Sequence, residues 1–305
     1  LKPSEQVPLS AGRIAELLRE AGLPEGVLNI VHGGQETVEA LCDHPDIEGI
    51  TFVGSTRVAK IVYRRGTANL KRVLALGGAK NHLIVMPDAE PEMTSSNVVA
   101  SMSGCAGQRC MAASVMMAVG NTDHIINRMV AVMRNVKIGP VISKEAKQRI
   151  ESYITEAEKA GAKVLVDGRG KDGPGYWIGP TLIDYVTPDM KIASEEVFGP
   201  VMVIIRSRDV EEAIRVQNRS RYGNAASVFT ESGAVARYVM EKASAGMVGV
   251  NVGVPVPREP FSFGGWNESK FGVGDITGRG SIEFWTKAKK MTTKWNKEAG
   301  TNWMS

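Results

Sequence analysis

Two hydrophobic periods alternate along the first 78 residues, one typical of helices and the other of buried strands. Ile14, Leu17 and Leu18 recur at helical spacing between charged residues, which predicts an amphipathic helix over residues 10–21. The same criterion predicts two further helices, at 36–42 and 56–64. Continuous apolar runs predict buried strands at 27–31, 50–53 and 72–78. Strands that alternate with helices across short loops indicate a parallel sheet covered by helices.

The alternation continues after a Gly-Gly-Ala-Lys segment at 77–80, which we interpret as a crossover and a domain boundary. A second α/β unit is therefore predicted over residues 79–264. Its predicted strands cover 81–86, 162–167, 201–205, 225–230 and 246–252. Its predicted helices cover 125–136 and 144–160, and helical sequence also precedes residue 104.

The composition of the 305-residue chain is typical of a soluble globular protein. Apolar residues make up 43% and charged residues 23%, and the net charge of +4 is spread along the sequence. No apolar run approaches the roughly 20 residues that a membrane span needs. The locally basic run 287–290 has no RNA- or DNA-binding motif beside it, so it is predicted to be a solvated strand face. We therefore expect neither a membrane nor a nucleic acid as partner.

Cysteine and histidine usage argues against disulfide bonds and against a metal site. Three cysteines without a signal peptide favour a reducing compartment, so a cytoplasmic location is expected, or the mitochondrial matrix if the source is eukaryotic. The four histidines show no metal-ligand spacing, and neither CxxC nor HExxH occurs. No metal site is predicted.

The stretch 104–112 is the strongest candidate for chemistry because it places two thiols among small residues. Cys105 and Cys110 are separated by Ala106, Gly107, Gln108 and Arg109. A nucleophilic thiol needs space around its sulfur and a nearby positive charge that favours the thiolate. The small residues supply the space and Arg109 supplies the charge. Taken alone, the stretch is equally compatible with a packed turn that buries two unreactive thiols.

Two further places suggest a nucleotide site. Gly54-Ser55 lies between a predicted strand and a predicted helix, where free backbone N–H groups and the helix dipole favour a phosphate, although serine is also an ordinary N-cap. Lys2 and Glu5 flank a proline at the predicted exit of a strand, the edge at which nucleotide sugars bind in such sheets. They could equally be solvated loop charges.

Five motifs then occur in one fixed order, and together they resemble the aldehyde dehydrogenase superfamily. The motifs are Lys2-Pro3-Ser4-Glu5, Phe52-Val53-Gly54-Ser55-Thr56, Leu76-Gly77-Gly78, Gly107-Gln108-Arg109-Cys110 and Glu196-Val197-Phe198-Gly199-Pro200. Within the superfamily the chain is most similar to the methylmalonate-semialdehyde dehydrogenases. The segments that carry this second resemblance are 77–82, 109–112 and 260–266.

The resemblance implies a Rossmann-like NAD-binding domain over 1–78, a catalytic domain over 79–264, and a return segment with an oligomerisation strand over 265–305, the strand itself at 282–295. It implies a homodimer or homotetramer. Cys110 becomes the nucleophile that attacks the aldehyde carbon and, after hydride transfer to NAD, carries a thioester; Cys105 becomes a bystander. The cofactor-binding residues that it implies are Lys2, Glu5 and Gln6 towards the adenosine ribose, Ser55 at the pyrophosphate, Gly77 near the nicotinamide, and Glu196 with Phe198 at the nicotinamide ribose.

Ala75 indicates how the thioester is resolved. Most hydrolytic members of the superfamily have a glutamate at this position, which acts as general base on water, and alanine cannot take a proton. Methylmalonate-semialdehyde dehydrogenases also lack it and pass the acyl group to coenzyme A. The resemblance therefore implies oxidation of methylmalonate or malonate semialdehyde to propanoyl-CoA or acetyl-CoA with release of CO2, and Arg109 as the ligand of the substrate carboxylate. Two alternatives remain open: hydrolysis with another base, and a catalytically impaired chain that acts only in binding or assembly.

The sequence also departs from the superfamily pattern at three places. The superfamily has a segment before the Lys-Pro-Ser-Glu motif that contains the first Rossmann strand and an asparagine that helps to hold the oxyanion. On the sequence given, we expect a nucleotide domain incomplete at its N-terminus and an oxyanion held by the Cys110 backbone N–H alone, a loss of about a hundred- to a thousandfold in rate. The loop at 136–141 is contracted, and Ala59 replaces a glycine that is usual there.

Overall fold

Helices and strands alternate along the chain, as the hydrophobic pattern predicts. The structure, a computed structural model, describes residues 1–170 and 173–295. Its helices are α1 Pro8–Glu20, α2 Gln35–Asp43, α3 Thr56–Ala68, α4 Pro91–Ser103, α5 Asp123–Met133, α6 Lys144–Lys159, α7 Lys191–Ser194, α8 Val210–Asn218, α9 Gly233–Lys242 and α10 Gly278–Trp285. Its strands are β1 Gly49–Val53, β2 Arg72–Leu76, β3 Asn81–Val85, β4 Ala113–Val119, β5 Lys163–Val166, β6 Thr181–Asp184, β7 Val201–Ser207, β8 Tyr222–Gly223, β9 Ala225–Phe229, β10 Met247–Val250, β11 Trp266–Asn267 and β12 Lys270–Phe271. No helix within these described residues is both long and apolar enough to cross a membrane.

Seven of the described strands form the larger sheet, in the order β10-β9-β3-β4-β7-β6-β5. Neighbouring strands are parallel except β5 and β6, which are antiparallel. Parallel strands covered on both faces consist of continuous apolar runs, and every residue of β3 and β9 is buried. Successive residues of β3 enter opposite cores, with Leu83 in one apolar cluster and Ile84 in the other. This confirms the predicted α/β fold class.

A smaller sheet of three strands, β1-β2-β12, contains residues from both ends of the chain. β1 is parallel to β2, and β12 is antiparallel to it, with Lys270 opposite Leu76. α3 covers one face, where Val62 packs with Val73 and Ala75 in an apolar cluster. The late strand β12 thus completes a sheet that the first 80 residues begin.

Four residues, 77–80, join β2 of the smaller sheet to β3 of the larger one. The segment before β12 holds this link, because Gly77 N–H donates to Ser269 O (2.9 Å) and Ser269 Oγ donates to Gly78 O (2.7 Å). A Cβ at Gly77 would lie 2.6 Å from Glu268 O, so the close approach requires glycine. The link brings the two sheets together at the place where the candidate site is built.

Two expectations about strands are wrong. Residues 27–31 form no strand, and Val27 is 65% exposed. Val31 N–H donates to Leu1 O (3.0 Å), so the segment lies beside the first residues, but it pairs with no described strand of the smaller sheet, and Val27 and Val31 stay exposed. Conversely, β4 occupies the middle of the larger sheet although no strand was predicted there. Its sequence mixes alanine, serine and methionine with valine, and so carries a weak strand preference.

The predicted oligomerisation strand at 282–295 is wrong in its first part. Residues 282–285 belong to α10, where Phe284 packs against Leu74 and Leu76. Residues 286–295 have no regular secondary structure, and the remainder of the predicted return segment, 296–305, lies outside the described residues. A strand whose neighbour in the sheet belongs to another subunit cannot form its interstrand hydrogen bonds in a single chain. The homodimer or homotetramer stays a prediction.

The turn before β4 is held against the 198–200 loop by a close backbone approach at Gly107. This residue has φ +68°, a left-handed conformation that side chains disfavour, and a Cβ placed on it would lie 2.0 Å from Gly199 O. Both constraints require glycine. The turn that leads to Cys110 is thereby fixed relative to the loop that carries Glu196.

We expect Gly107→Ala to lower the free energy of unfolding by at least about 2 kcal/mol, because the left-handed backbone and the clash with Gly199 both disfavour a side chain. Urea unfolding followed by circular dichroism measures the loss. Gly139→Ala is the matched control, since no atom lies within 4 Å of its added Cβ, and it should stay within about 0.5 kcal/mol of the parent. Equal stability of the two variants would contradict the close packing at Gly107.

Candidate active site

Cys110 lies between a short 3-10 turn, Gly104–Gly107, and β4, in a pocket of apolar side chains. The thiol is half-buried. The residues around it form one cluster: Met111, Ala225, Met247, Val254 and Phe263. The pocket therefore limits the water that reaches the sulfur without sealing it.

The groups around Cys110 act on the pKa of its thiol in opposite directions. Burial raises the pKa of the Cys110 thiol above its ordinary value, and the nearby Glu196 carboxylate raises it further. The backbone N–H groups of Cys110 and Met111 and the charge of Arg109 act on the same pKa in the opposite direction. The raising effects win, so the thiol is mostly protonated at neutral pH.

Cys105 lies in a different environment. It is exposed, and its backbone is left-handed with φ +52° in the same turn. The interpretation of the stretch as a packed turn with two buried thiols is therefore wrong for Cys105. The two cysteines are distinguished by burial, and Cys110 is the one that faces the apolar pocket.

Glu196 is anchored to the link between the two sheets. Its Oε1 accepts from Ala79 N–H at 2.9 Å, and a Cβ at Gly78 would lie 2.5 Å from its Oε2, so Gly78 leaves room for the carboxylate. Burial raises the pKa of Glu196, while the Ala79 N–H and the Lys80 charge lower it. Lys80 is itself buried, and burial lowers its pKa to about 7 in spite of the two carboxylates of Glu196 and Glu195.

Ser55 occupies the N-cap of α3 without using its hydroxyl as a cap. Its side chain is exposed, so the hydroxyl and the first N–H groups of α3 remain accessible to a phosphate. The next residue, Thr56, accepts from Gly78 N–H through Oγ1 at 2.8 Å. Ser55 is therefore joined through Thr56 to the link that anchors Glu196.

Lys2, Glu5 and Gln6 form a second group at the start of the chain. Lys2 Nζ donates to Pro3 O (2.6 Å) and Gly33 O (2.8 Å) and lies 3.5 Å from Glu5 Oε2. The Glu5 and Gln6 side chains are exposed. These bonds fix the Lys2 ammonium beside a glycine turn rather than leaving it as a freely solvated charge.

The structure thus brings most of the predicted residues together. Ser55, Gly77, Glu196 and Cys110 are connected through the link 77–80 and its neighbours. Phe198, two residues after Glu196, is 38% exposed and left-handed with φ +53°. The Lys2 group is held separately from these residues, because the hydrogen bonds of Lys2 go to Pro3 O and Gly33 O.

Arg109 bonds to the end of a helix. Its Nη2 donates to Ser101 O at 2.8 Å and approaches Ala100 O at 3.4 Å, in the last turn of α4. A Cβ at Gly104 would lie 2.5 Å from that nitrogen, so Gly104 makes room for the guanidinium. Its Nε is buried and has no hydrogen-bond partner in the described residues.

Two residues of the site were missed by the sequence analysis. The side-chain amides of Asn81 and Asn224 both donate to Cys110 O, at 2.7 Å and 3.0 Å. Each is a single asparagine in or beside an apolar run, and no spacing relates it to the cysteine stretch. Only the strand order, which places β3 and β9 next to each other, brings them together.

The chain matches the sequence model of the aldehyde dehydrogenase family over residues 1–291. It is 46% identical over 310 residues to malonate-semialdehyde dehydrogenase 1 of Geobacillus thermodenitrificans, covering 97% of this chain and 64% of that protein. It is 45% identical over 311 residues to malonate-semialdehyde dehydrogenase 2 of Bacillus anthracis, with the same two coverages.

Solved structures give the same relationship. The methylmalonate-semialdehyde dehydrogenase of Oceanimonas doudoroffii superimposes with a TM-score of 0.94 at 41% identity. A putative methylmalonate-semialdehyde dehydrogenase of Sinorhizobium meliloti, complexed with NAD, superimposes with a TM-score of 0.94 at 42% identity. In both cases 98% of this chain is covered. The chain spans 64% of the length of each of these relatives.

Glu196→Gln should lower the pH midpoint at which the Cys110 thiol becomes reactive. The carboxylate raises the pKa of Cys110, so removing its charge favours the thiolate and moves the midpoint down. The rate of alkylation by iodoacetamide between pH 6 and 10, in a Cys105→Ser background, reports this midpoint. Glu231→Gln, an exposed acid near the end of β9, is the control and should leave it unchanged. A midpoint that stays at the parent value or rises in Glu196→Gln would contradict the action of this carboxylate on Cys110.

Proposed function

We propose that this chain, which belongs to the aldehyde dehydrogenase family, oxidises malonate or methylmalonate semialdehyde through a thioester on Cys110. The acyl group then passes to coenzyme A. The observation that carries the proposal is a half-buried thiol in an apolar pocket, beside a carboxylate anchored to the link between the sheets. The names of the similar proteins supply the substrate class.

Cys110 forms the first covalent bond of the proposed reaction. Its thiolate attacks the aldehyde carbon, and the aldehyde oxygen takes up the negative charge. The backbone N–H of Cys110 lies beside the sulfur and donates to that oxygen. Bound NAD would supply the hydride acceptor for this carbon, and Cys110 then carries the acyl group as a thioester.

The residues of this chain fit a dinucleotide at the edge of the smaller sheet. Ser55 has an uncommitted hydroxyl at the N-terminus of a 13-residue helix, which suits a pyrophosphate. Glu196 would hold the nicotinamide ribose, and Gly77 and Phe198 would lie near the nicotinamide. Lys2, Glu5 and Gln6, in the group around Gly33, would hold the adenosine ribose.

The buried alanine at position 75 favours transfer to coenzyme A over hydrolysis. Ala75 is 0% exposed and packs against α3, and its methyl group cannot take a proton from water. The two neighbouring acids are already bonded, Glu195 to Tyr153 and Glu196 to Ala79. A thiol is nucleophilic without such a base once it ionises, so coenzyme A is the acceptor that this site suits.

The substrate carboxylate binds at Arg109 and then leaves as CO2. Arg109 lies directly before Cys110 in sequence, and its charge acts on the Cys110 thiol, so its guanidinium is the cation proposed to bind the carboxylate. After oxidation the carboxylate is β to the thioester carbonyl, so loss of CO2 places the electron pair on the carbon between them. Protonation of that carbon gives an acetyl or propanoyl thioester, which coenzyme A accepts.

NADH formation from malonate semialdehyde should require coenzyme A for more than one turnover. Without it, the thioester accumulates and NADH stops at about one equivalent per Cys110, because Ala75 supplies no base. Absorbance at 340 nm measures both regimes. Propanal, which has no carboxylate for Arg109, is the control substrate and should be oxidised with a much higher KM.

Each other outcome points to a different conclusion. Continuous turnover that is indifferent to coenzyme A supports hydrolysis with another base and contradicts acyl transfer. Equal KM values for malonate semialdehyde and propanal contradict the role of Arg109. No NADH at all, with NAD bound, supports a chain that acts only in binding or assembly. Cys110→Ser should abolish the burst in every case.

A further inference from the structure

The carbonyl oxygen of Cys110 accepts hydrogen bonds from two buried side-chain amides. Asn81 Nδ2 donates to it at 2.7 Å and Asn224 Nδ2 at 3.0 Å. The two asparagines are only 3% and 6% exposed. Burying two side-chain amides costs free energy unless they form hydrogen bonds. The two bonds therefore fix the orientation of the peptide group that follows Cys110.

The two amides reach the carbonyl from elements on the same side of β4. Asn81 is the first residue of β3 and also donates to Ala112 O at 3.0 Å, while its Oδ1 accepts from Ala225 N–H at 3.1 Å. Asn224 lies between β8 and β9 and also donates to Met111 Sδ at 3.1 Å. Asn81 therefore connects three strands through its hydrogen bonds, whereas the amide of Asn224 donates to the residues at positions 110 and 111.

The other end of the same peptide group is the N–H of Met111. The carbonyl of Cys110 and the N–H of Met111 belong to one planar amide, so fixing the oxygen also fixes the direction of the N–H. The Met111 N–H is one of the backbone groups that lower the pKa of the Cys110 thiol. Donors at the oxygen of an amide polarise it and strengthen the bond that its N–H makes.

We propose that Asn81 and Asn224 are positioning residues that hold the Cys110–Met111 peptide, and with it the Met111 N–H, in the orientation that stabilises the Cys110 thiolate. The proposal rests on the proposed function in one respect, that Cys110 is the nucleophile. The charged groups that act on Cys110 are Glu196 and Arg109. In the described residues neither of them hydrogen-bonds to either asparagine, so the amides form a separate contribution.

Asn224 is the better residue for the test, because Asn81 also fixes the register of the sheet. Asn224→Leu removes the donor and keeps a similar volume. Asn224→Asp keeps the shape but replaces the donor with an oxygen and a negative charge. Asn218→Ala is the matched control: Asn218 also bonds to two backbone groups, at Lys242 O and Ser244 N, but on the exposed end of α8.

The experiment measures the rate of iodoacetamide alkylation from pH 6 to 10 in a Cys105→Ser background. Cys42 is 2% exposed, so Cys110 is the thiol that reacts, and peptide mass spectrometry verifies the position. Both Asn224 variants should react about three- to fivefold more slowly at pH 7, roughly the factor for one lost hydrogen bond. Their rates should converge on the parent rate at the highest pH, because only the thiolate fraction changes. Asn218→Ala should follow the parent curve throughout.

A rate that changes by the same factor at every pH would overturn the proposal, since it would indicate altered access rather than altered ionisation. A parent-like curve in both variants would overturn it too. Circular dichroism verifies folding, and if one variant does not fold, the other gives the result. Shifted curves in a chain that forms no NADH would leave the inference standing while the proposed function fails. CoA-dependent turnover with unshifted curves would do the reverse.

Discussion

The site depends on one constraint, the four-residue link that joins the smaller sheet to the larger one. Residues 77–80 are too few to separate the sheets, so the end of β2 and the start of β3 lie together. Groups on this link and directly after it then position the site: Gly78 N–H donates to Thr56 Oγ1, Ala79 N–H donates to Glu196 Oε1, and the side chain of Asn81, the first residue of β3, donates to Cys110 O. A predicted phosphate site, a carboxylate and a thiol are thereby held by residues 78, 79 and 81.

Cys110 shows how such a site balances burial against reactivity. An apolar pocket excludes water but disfavours the thiolate, and the Glu196 carboxylate adds to the effect. The compensating effects come from the backbone N–H groups of Cys110 and Met111 and from the charge of Arg109. Fixed dipoles need no reorganisation during a reaction. A site of this kind depends on the orientation of the peptide groups next to the sulfur. The bonds from the buried Asn81 and Asn224 amides to the Cys110 carbonyl fit this requirement.

The sequence was sufficient for the fold class, because strand and helix periods differ and the strands here are long apolar runs. It was also sufficient for the family, since five motifs in order are specific even where each alone is weak. It could not predict Asn81 and Asn224, because their partner is 29 and 114 residues away and no local pattern marks them. β4 was missed because methionine and alanine carry little strand preference. The resemblance implies a strand at residues 282–285, but these residues end α10, in which Phe284 packs against Leu74.

The central claim is that Cys110, rather than Cys105, carries the acyl group. Tandem mass spectrometry of the peptide that contains both cysteines, after incubation with malonate semialdehyde and NAD but without coenzyme A, tests it most directly. The account predicts a single acyl adduct on Cys110, which disappears when coenzyme A is added. An adduct on Cys105, or none on either cysteine in a chain that has formed NADH, would contradict it.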